Sequence, residues 1–471
     1  MTKSNANADS KRTLAERMTD YAQGLRFEEL PAEVVHEAKR VTVDALGCAF
    51  GAYHEEPVVV GRKVAMNFSA KNGSTILGTK HVAPPDWTAF VNGCMVRYFD
   101  YNDTYLSKEP AHPSDNIPAC LSAGESAGAS GRDLITAIVI AYEVQCRLAD
   151  AASIRSRGWD HVTYGAFSTA LGASKLFKLD PKKMRHALGI AGVASAALRQ
   201  SRVGELSHWK GTAFANAARH GVYAAMLARE GMTGPAPIFE GEKGFEILVS
   251  GPLTALQGPF AEGGSHASDG YMIMKSCIKY VPAEYHAQSA IAATLKLREQ
   301  LGTDSEVDSI VVESHDAAVD IIGSEPEKWK PTHRETADHS LPYMVAAAYV
   351  DGEITSRQFE PERFTDPKLL DVVQRVRVER HAELSSMYPE AVGNIVTIRL
   401  KNGKEASLRI DYPPGHAKNR LTDAQLLQKY HTLSNPILGE KKAKAVADWV
   451  WRLDKVQNLK ELFELAEVTA K

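Results

Sequence analysis

The chain has 471 residues, which indicates two or three domains at roughly 100–200 residues each. Its composition is 44% hydrophobic and 24% charged, as in a globular protein with a full core. This excludes a disordered chain, a collagen-like repeat and a small disulfide-rich scaffold. With 55 Lys and Arg against 58 Asp and Glu, the net charge is −3. Because there is no basic excess, we expect neither a nucleic-acid partner nor a membrane partner.

The N-terminal segment and the cysteines indicate a cytoplasmic protein. Residues 1–12 are polar and lack apolar periodicity, which predicts a disordered tail and no secretory signal. The longest apolar stretch, around Leu134–Tyr142, is far shorter than the ~20 residues that span a bilayer. The five cysteines are widely spaced and odd in number, which argues for a reducing compartment. None of them forms a Cys-x-x-Cys pair, which argues against an iron–sulfur cluster or structural zinc.

The chain from Thr13 to about Lys275 has a mostly helical pattern. After Pro31, apolar residues recur at steps of three and four, which predicts an amphipathic helix with proline at its first position. The segment Asp133–Leu148 is apolar on nearly every face and predicts a buried helix. Two further predicted helices, Ala166–Phe177 and Gly211–Arg229, are rich in small residues, which lets helix backbones approach closely.

The pattern changes after about Cys277. Strands are predicted by β-branched or alternating runs at 309–314, 375–380, 395–400 and 406–410. The last two flank Asn402-Gly403, a strong hairpin signal. Helices are predicted among these strands, and a helical pattern returns from Thr422. Residues 277–417 are therefore predicted to form an α+β domain.

Several common catalytic motifs are absent from the sequence. It contains neither a phosphate-binding loop nor a His-Glu-x-x-His zinc motif. The segment Gly124–Gly128 matches the letters of a Gly-x-Ser-x-Gly nucleophile elbow. An elbow needs a strand before the serine, whereas here a helical pattern precedes it. We interpret the segment as a helix end and turn.

The densest polar cluster is Arg97–Asn116. A helix is predicted over Trp87–Arg97, and if it continued it would place three polar residues on one face: Asp100, Asp103 and Thr104. Two prolines bracket His112 and fix its backbone. Residues 114–116 have the side chains of caps for a helix from Ile117. The alternative is an ordinary loop with capping residues.

Four more candidates stand near predicted helix starts or the change of pattern: His161, Lys210, Lys279 and His286. Taken singly, each is more often structural than catalytic. A lysine at a helix start opposes the helix dipole, so Lys210 calls for an anionic neighbour or ligand. His339 has two open interpretations, because it could line a site or cap the helix that follows Ser340.

Four motifs in order resemble the 2-methylcitrate dehydratase (MmgE/PrpD) family. They are Phe99-Asp-Tyr-Asn-Asp-Thr, His112-Pro-Ser-Asp-Asn, Lys279 with Pro282-Ala-Glu-Tyr-His-Ala-Gln, and Ala337-Asp-His-Ser-Leu-Pro-Tyr. The resemblance implies an α+β protein with a large all-helical domain, 13–276 plus 418–471. It implies a smaller α+β domain, 277–417, inserted between those parts, and a homodimer.

The resemblance also implies enolate-type chemistry beside carboxylates, with no metal and no cofactor. Residues that match the family pattern are Asp100, Thr104, His112, His161, Lys210, Lys279 and, more loosely, His286. Four of them are expected to be catalytic: Asp100, His112, His161 and Lys210. The expected substrate-binding residues are Thr104, Lys279 and His286. Which group is base and which is acid stays open.

The leading hypothesis is a hydro-lyase that dehydrates 2-methylcitrate or citrate. Eight positions separate Thr104 from His112, as in dehydratase-like members of the family. One departure is Ala337, where dehydratases often carry Arg. The alternatives are a cis-aconitate decarboxylase, an isomerase or epimerase of a related di- or tricarboxylate, and a non-catalytic carboxylate-binding protein.

Overall fold

The structure is a computed structural model that describes residues 12–204, 206–265 and 270–469. The predicted N-terminal tail lies almost entirely outside the described residues. The chain is a mostly helical α+β protein. Its helices are α1 (Leu14–Gly24), α2 (Ala32–Gly51), α3 (Glu56–Ala65), α4 (Pro85–Arg97), α5 (Ile117–Ala127), α6 (Gly131–Ala151), α7 (Thr163–Leu176), α8 (Pro181–Ala194), α9 (Trp209–Arg229), α10 (Gln288–Leu301), α11 (Asp316–Ile322), α12 (Arg334–Ala337), α13 (Leu341–Asp351), α14 (Pro367–Val373), α15 (Ala382–Met387), α16 (Asp423–Leu438), α17 (Glu440–Trp451) and α18 (Lys460–Leu465).

The strands form one short ribbon and one four-stranded sheet. They are β1 (Ser74–Thr75), β2 (Val82–Ala83), β3 (Val307–Ser314), β4 (Val376–Arg380), β5 (Asn394–Leu400) and β6 (Glu405–Ile410). The larger sheet has the order β4-β3-β5-β6, with β3 parallel to β4 and antiparallel to β5. The predicted Asn402-Gly403 turn joins the β5–β6 hairpin, and Gly403 has φ 86°, as such a turn requires.

Two large hydrophobic cores hold the chain together. One contains residues between Leu14 and Ile278 and again between Leu421 and Ala466. The other contains residues between Val281 and Leu400, where α10 and α13 cover the sheet. The division into a large helical domain and an inserted small domain stays a prediction, and the membership of these two cores supports it.

The helical part is tightly packed at positions of small residues. The predicted buried helix is α6, whose side chains are almost all buried. At the crossing of α7 and α9, a Cβ on Gly221 would lie 2.7 Å from the Ala166 carbonyl oxygen, so only glycine permits this approach. The predicted start of α2 is one residue early, because Pro31 precedes the first helical residue. Within the described ranges, no helix is long and apolar enough to cross a membrane.

The Gly124–Gly128 segment is a helix end, as interpreted from the sequence. Helix α5 continues through Ser126 to Ala127, and Gly128 ends it with φ 64°. The Ser126 hydroxyl donates to the Asn72 carbonyl at 3.0 Å. No strand leads into this serine, so its surroundings are not those of a nucleophile elbow.

Candidate active site

One cavity of about 130 Å³ is lined by all seven site residues selected from the sequence. They come from separate parts of the chain: Asp100, Thr104, His112, His161, Lys210, Lys279 and His286. A larger surface cleft, of about 840 Å³, lies between the β1–β2 ribbon and α18 and contains none of them. Convergence of titratable residues, rather than size, therefore identifies the candidate site.

Asp100 lies just beyond the end of α4, in a backbone conformation that is rare for aspartate. Helix α4 ends at Arg97, as predicted, and Asp100 has φ 50°, so the alternative in which a continued helix places Asp100, Asp103 and Thr104 on one face is wrong. Two hydrogen bonds hold this turn. The Asp100 amide donates to the Arg97 carbonyl at 3.0 Å, and Lys279 Nζ donates to the Asp100 carbonyl at 2.6 Å.

The Asp100 carboxylate is shared by three buried cations. Oδ1 accepts from Arg97 Nη1 at 2.6 Å and from Lys279 Nζ at 2.7 Å. Oδ2 accepts from Lys210 Nζ at 3.2 Å. Burial by itself would raise the pKa of Asp100, but the three cations outweigh it and hold that pKa well below its ordinary value. Asp100 is thus a charged counter-ion, with little capacity to accept a proton.

The predicted capping role of residues 114–116 is also wrong. These residues lie in a 3₁₀ turn before α5, and no side chain of theirs caps that helix. They join a buried polar network instead. The side-chain amide of Asn102 donates to Ser114 Oγ at 2.8 Å and to Asp115 Oδ1 at 2.7 Å. The backbone N–H of Ser114 donates to Asp103 Oδ1 at 2.9 Å. Asp103 therefore braces the loop that carries His112.

His112 has one ring nitrogen fixed by the backbone and the other facing the cavity. Nδ1 lies 2.8 Å from the Asp103 carbonyl oxygen, which can only accept, so Nδ1 carries the proton. Nε2 lies 3.9 Å from Asp100 Oδ1. Burial, followed by the neighbouring Arg97, holds the pKa of His112 well below 6.5. His112 is therefore a neutral imidazole with a lone pair available at Nε2.

His161 faces His112 but has a carboxylate behind it. The two ring centroids lie 6.0 Å apart. His161 Nδ1 lies 3.0 Å from Asp160 Oδ1, and its buried Nε2 has no hydrogen-bond partner among the described residues. Burial lowers the pKa of His161, and Asp160 acts in the opposite direction. The imidazolium form is thus better supported at His161 than at His112.

Both predicted lysines are buried beside Asp100. Lys210 is the second residue of α9, and Asp100 supplies the anionic neighbour that a lysine at this position needs. Burial lowers the pKa of Lys279, with Asp100 as the main opposing influence. His339 lines the cavity as well, 3.5 Å from Asp100 Oδ2, while the hydroxyl of Ser340 caps α13. The two interpretations of His339 are thereby resolved in favour of the site.

Thr104 and His286 lie at the cavity wall. Thr104 pairs through its backbone with Cys277, and its hydroxyl donates to the Ala111 carbonyl at 3.3 Å. The hydroxyl oxygen keeps lone pairs that can accept a hydrogen bond. His286 Nδ1 has no hydrogen-bond partner in the described part of the chain, and burial lowers the pKa of this ring to about 3.

A buried lysine of α16 joins two segments that carry the site. Lys429 Nζ lies 2.6 Å from Asp44 Oδ1. It also donates to the Tyr101 carbonyl at 2.7 Å and to the Lys279 carbonyl at 3.0 Å. Helix α16 thus holds the backbone at Tyr101, next to Asp100, and at Lys279.

Sequence reasoning missed several residues of this cavity. They are Arg97, Arg155, Arg199, Arg202, Glu284 and Tyr285. The only signal for the arginines is their spacing in Arg155-Ser-Arg and Arg199-Gln-Ser-Arg, which is common on surfaces. Ala337, the departure from the dehydratase pattern, is fully buried in the second core and does not line the cavity.

The fold and the cavity together are those of an enzyme. A mostly helical α+β chain encloses paired histidines and buried cations, a combination suited to proton transfer on anionic compounds. The chain matches the MmgE/PrpD N-terminal domain over residues 16–255 and the MmgE/PrpD C-terminal domain over residues 281–455. The protein belongs to the MmgE/PrpD family.

Curated relatives cover most of the chain. It is 26% identical to a 2-methylcitrate dehydratase of Salmonella typhimurium, over 85% of this chain and 86% of that protein. It is 27% identical to a 2-methylcitrate dehydratase of Cupriavidus necator, over 86% and 87%. It is also 23% identical to a cis-aconitate decarboxylase of Aspergillus terreus, over 100% of this chain and 99% of that protein.

Proposed function

We propose that the protein is a hydro-lyase that dehydrates 2-methylcitrate, or the closely related citrate, to a cis-aconitate-type alkene. The observation that carries this proposal is the pairing of two histidines in different charge environments beside buried Lys210 and Lys279. The similarity of the chain to two 2-methylcitrate dehydratases also supports it. The reaction removes a proton from a carbon next to a carboxylate and a hydroxyl group from the neighbouring carbon, so that one water leaves.

His112 is the proposed base. Its Nε2 lone pair takes the proton from the carbon, because Nδ1 already donates to the Asp103 carbonyl. The electron pair left on carbon spreads into the adjacent carboxylate, where negative charge accumulates. Lys210 and Lys279 stabilise that charge, since Asp100 holds both ammonium groups at the cavity.

His161 is the proposed acid. Asp160 favours its imidazolium, and an anionic substrate in the cavity would favour it further. From Nε2 it gives a proton to the departing hydroxyl, which leaves as water while the carbon–carbon double bond forms. Thr104 and His286 are proposed to bind the substrate. We propose no cofactor for this reaction.

The test is ultraviolet absorbance of chelator-treated protein mixed with 2-methylcitrate and, separately, with citrate. A rise with either substrate supports dehydration, because the product has a double bond conjugated to carboxylates. We expect His112→Ala and Lys210→Ala each to lower turnover by at least about 100-fold. His54→Ala, which changes an exposed histidine, is the matched control. Near wild-type turnover in either site variant would refute that residue's role.

Decarboxylation of cis-aconitate is the second candidate, because the Aspergillus terreus relative matches over the whole chain. The eight positions between Thr104 and His112 favour the dehydratase. Release of CO₂ from cis-aconitate, without an absorbance change with 2-methylcitrate, would reverse that preference.

We further propose that the protein is a homodimer. Five large apolar side chains on segments that adjoin cavity residues or bond to Trp159 are at least 50% exposed: Leu198, Val203, Trp209, Ile247 and Leu248. Trp159 joins two of these segments, through a backbone bridge to Leu198 and a ring N–H bond to the Leu248 carbonyl. Such a patch is typical of an interface. A monomer in sedimentation equilibrium would contradict the proposal.

A further inference from the structure

Three arginines line the side of the cavity next to His161. We call Arg155, Arg199 and Arg202 the arginine edge. The edge consists of two short segments joined by backbone hydrogen bonds. The Asp160 amide donates to the Ala197 carbonyl at 2.8 Å, and the Arg199 amide donates to the Gly158 carbonyl at 2.9 Å. The guanidinium groups are therefore carried on a fixed backbone rather than on a long free loop.

The arginine edge has more donors than the described protein uses. Arg202 Nε pairs with Asp160 at 3.0 Å, but its buried Nη2 has no hydrogen-bond partner among residues 12–204, 206–265 and 270–469. In the same ranges, no carboxylate pairs with Arg155 or with the half-buried Arg199. A guanidinium without a carboxylate partner is costly away from water, and the three like charges repel one another.

Charges of both signs act on Arg199. Burial lowers the pKa of Arg199, Glu109 and Asp160 act to raise it, and Arg155 and Arg202 act to lower it. The other cationic wall differs, because Asp100 contacts Arg97, Lys210 and Lys279 there. The cavity thus has one group of cations that each contact a carboxylate of the protein, whereas the guanidinium groups of Arg155 and Arg199 contact none among the described residues.

We propose that the arginine edge is a carboxylate subsite that completes its charge balance with a carboxylate of the substrate. The inference rests on the proposed function and specifies the substrate class. The reacting end of the substrate lies at Lys210 and Lys279, and a second carboxylate binds the edge across the cavity. The planar fork of arginine fits a carboxylate with two parallel hydrogen bonds.

Arg199→Gln tests this subsite with little disturbance of the histidines. Arg199 is chosen because Arg202 also pairs with Asp160 behind His161. The probes are tricarballylate, which has three carboxylates and no hydroxyl group, and two compounds that each lack one of its carboxylates, glutarate and methylsuccinate. Binding to the full-length protein is measured by calorimetry. Arg157→Gln is the matched control, since Arg157 lies two residues from Arg155, is exposed and does not line the cavity.

We expect Arg199→Gln to weaken tricarballylate binding by roughly 10- to 100-fold. One of the two dicarboxylates should bind wild type and variant equally, because it lacks the group that Arg199 holds. Arg157→Gln should bind all three like wild type. Unchanged tricarballylate binding in Arg199→Gln, equal weakening of all three probes, or no tricarballylate binding to wild type would overturn the proposal. Arg199→Lys keeps the positive charge but loses the planar guanidinium group. Its affinity for tricarballylate should therefore lie between those of wild type and Arg199→Gln.

The calorimetric measurement separates this inference from the proposed function, because it needs no turnover. If binding depends on Arg199 as expected and 2-methylcitrate and citrate are not dehydrated, the subsite stands and the reaction is wrong. If dehydration occurs and Arg199→Gln binds tricarballylate like wild type, the reaction stands and the subsite is wrong.

Discussion

Replacing Asp100 by Asn removes the negative charge at the centre of the site while keeping the size of the side chain. Asparagine tolerates the left-handed backbone that Asp100 adopts at φ 50°, so backbone strain changes little. Three buried cations lose their shared counter-ion, although Arg97 keeps Asp115 at 3.5 Å. The change therefore isolates the contribution of one charge.

The size of the expected loss in the free energy of unfolding follows from the burial of these side chains. The side chains of Asp100, Lys210 and Lys279 are 3%, 5% and 1% exposed, so solvent screens these pairs very little. Breaking a buried ion pair by removing one partner costs about 3–5 kcal/mol. Burial already lowers the pKa of Lys279, so this lysine can lose its proton and relieve part of the cost. We expect Asp100→Asn to lower the free energy of unfolding by about 3 kcal/mol at neutral pH.

The assay is urea unfolding, followed by tryptophan fluorescence and circular dichroism. Asp448→Asn is the matched control, because Asp448 pairs with Lys444 at 2.6 Å on the exposed face of α17. Asp448→Asn should lower the free energy of unfolding by less than about 0.5 kcal/mol. In the double variant Asp100→Asn with Lys279→Met, the loss should be smaller than the sum of the two single losses.

The pH dependence supplies a second readout. The folded pKa of Asp100 lies well below its ordinary value, so its contribution to stability is complete above about pH 4. The contribution is lost as the pH falls through the folded pKa. The difference between wild type and Asp100→Asn should therefore be constant near neutrality and shrink below about pH 4. A loss under about 1 kcal/mol at neutral pH, or a difference that grows in acid, would refute a charged Asp100.

Other predictions concern groups that support the site. Lys429→Met should lower the free energy of unfolding by about 3–5 kcal/mol, because it leaves Asp44 buried without a cation, and adding Asp44→Asn should recover part of the loss in urea unfolding. Asp160→Asn should lower kcat by about 100-fold and shift the alkaline limb of kcat/KM to lower pH, because Asp160 raises the pKa of His161, which must be protonated to act as the acid; an unchanged pH profile would refute this positioning role. In wild type, kcat/KM should not decline as the pH is lowered from neutral to 6.5, since burial keeps His112 neutral there, and a decline over that range would contradict its role as base.

Local sequence patterns were sufficient to predict much of the secondary structure. Helix α6 and the β5–β6 hairpin were predicted because apolar runs and Asn402-Gly403 act over neighbouring residues. The turn at Asp100 could not be predicted in this way. No glycine or proline marks it, and the bond that holds its carbonyl comes from Lys279, 179 residues away.

The same distinction between local sequence signals and tertiary contacts applies to the candidate site. Its seven predicted residues match a family pattern that can be recognised in sequence. The arginine edge lacks such a signal, because arginines with this spacing are common on exposed turns. What distinguishes Arg199 is its position beside the cavity and the absence of a carboxylate partner among the described residues, and both depend on tertiary structure.

The dependence of Asp100 on distant cations has a consequence for biosynthesis. Lys210 and Lys279 follow it by 110 and 179 residues, and Lys429 follows Tyr101 by 328 residues. At about 5–20 residues per second, the ribosome adds Lys279 roughly 10–35 seconds after Asp100 and Lys429 still later. Until Lys210 is added, the nascent chain carries Asp100 without two of its three counter-charges, and from then until Lys279 is added it lacks one. A chain that stops before Lys279 cannot form the native charge cluster, so the stable site shows that synthesis has passed this lysine.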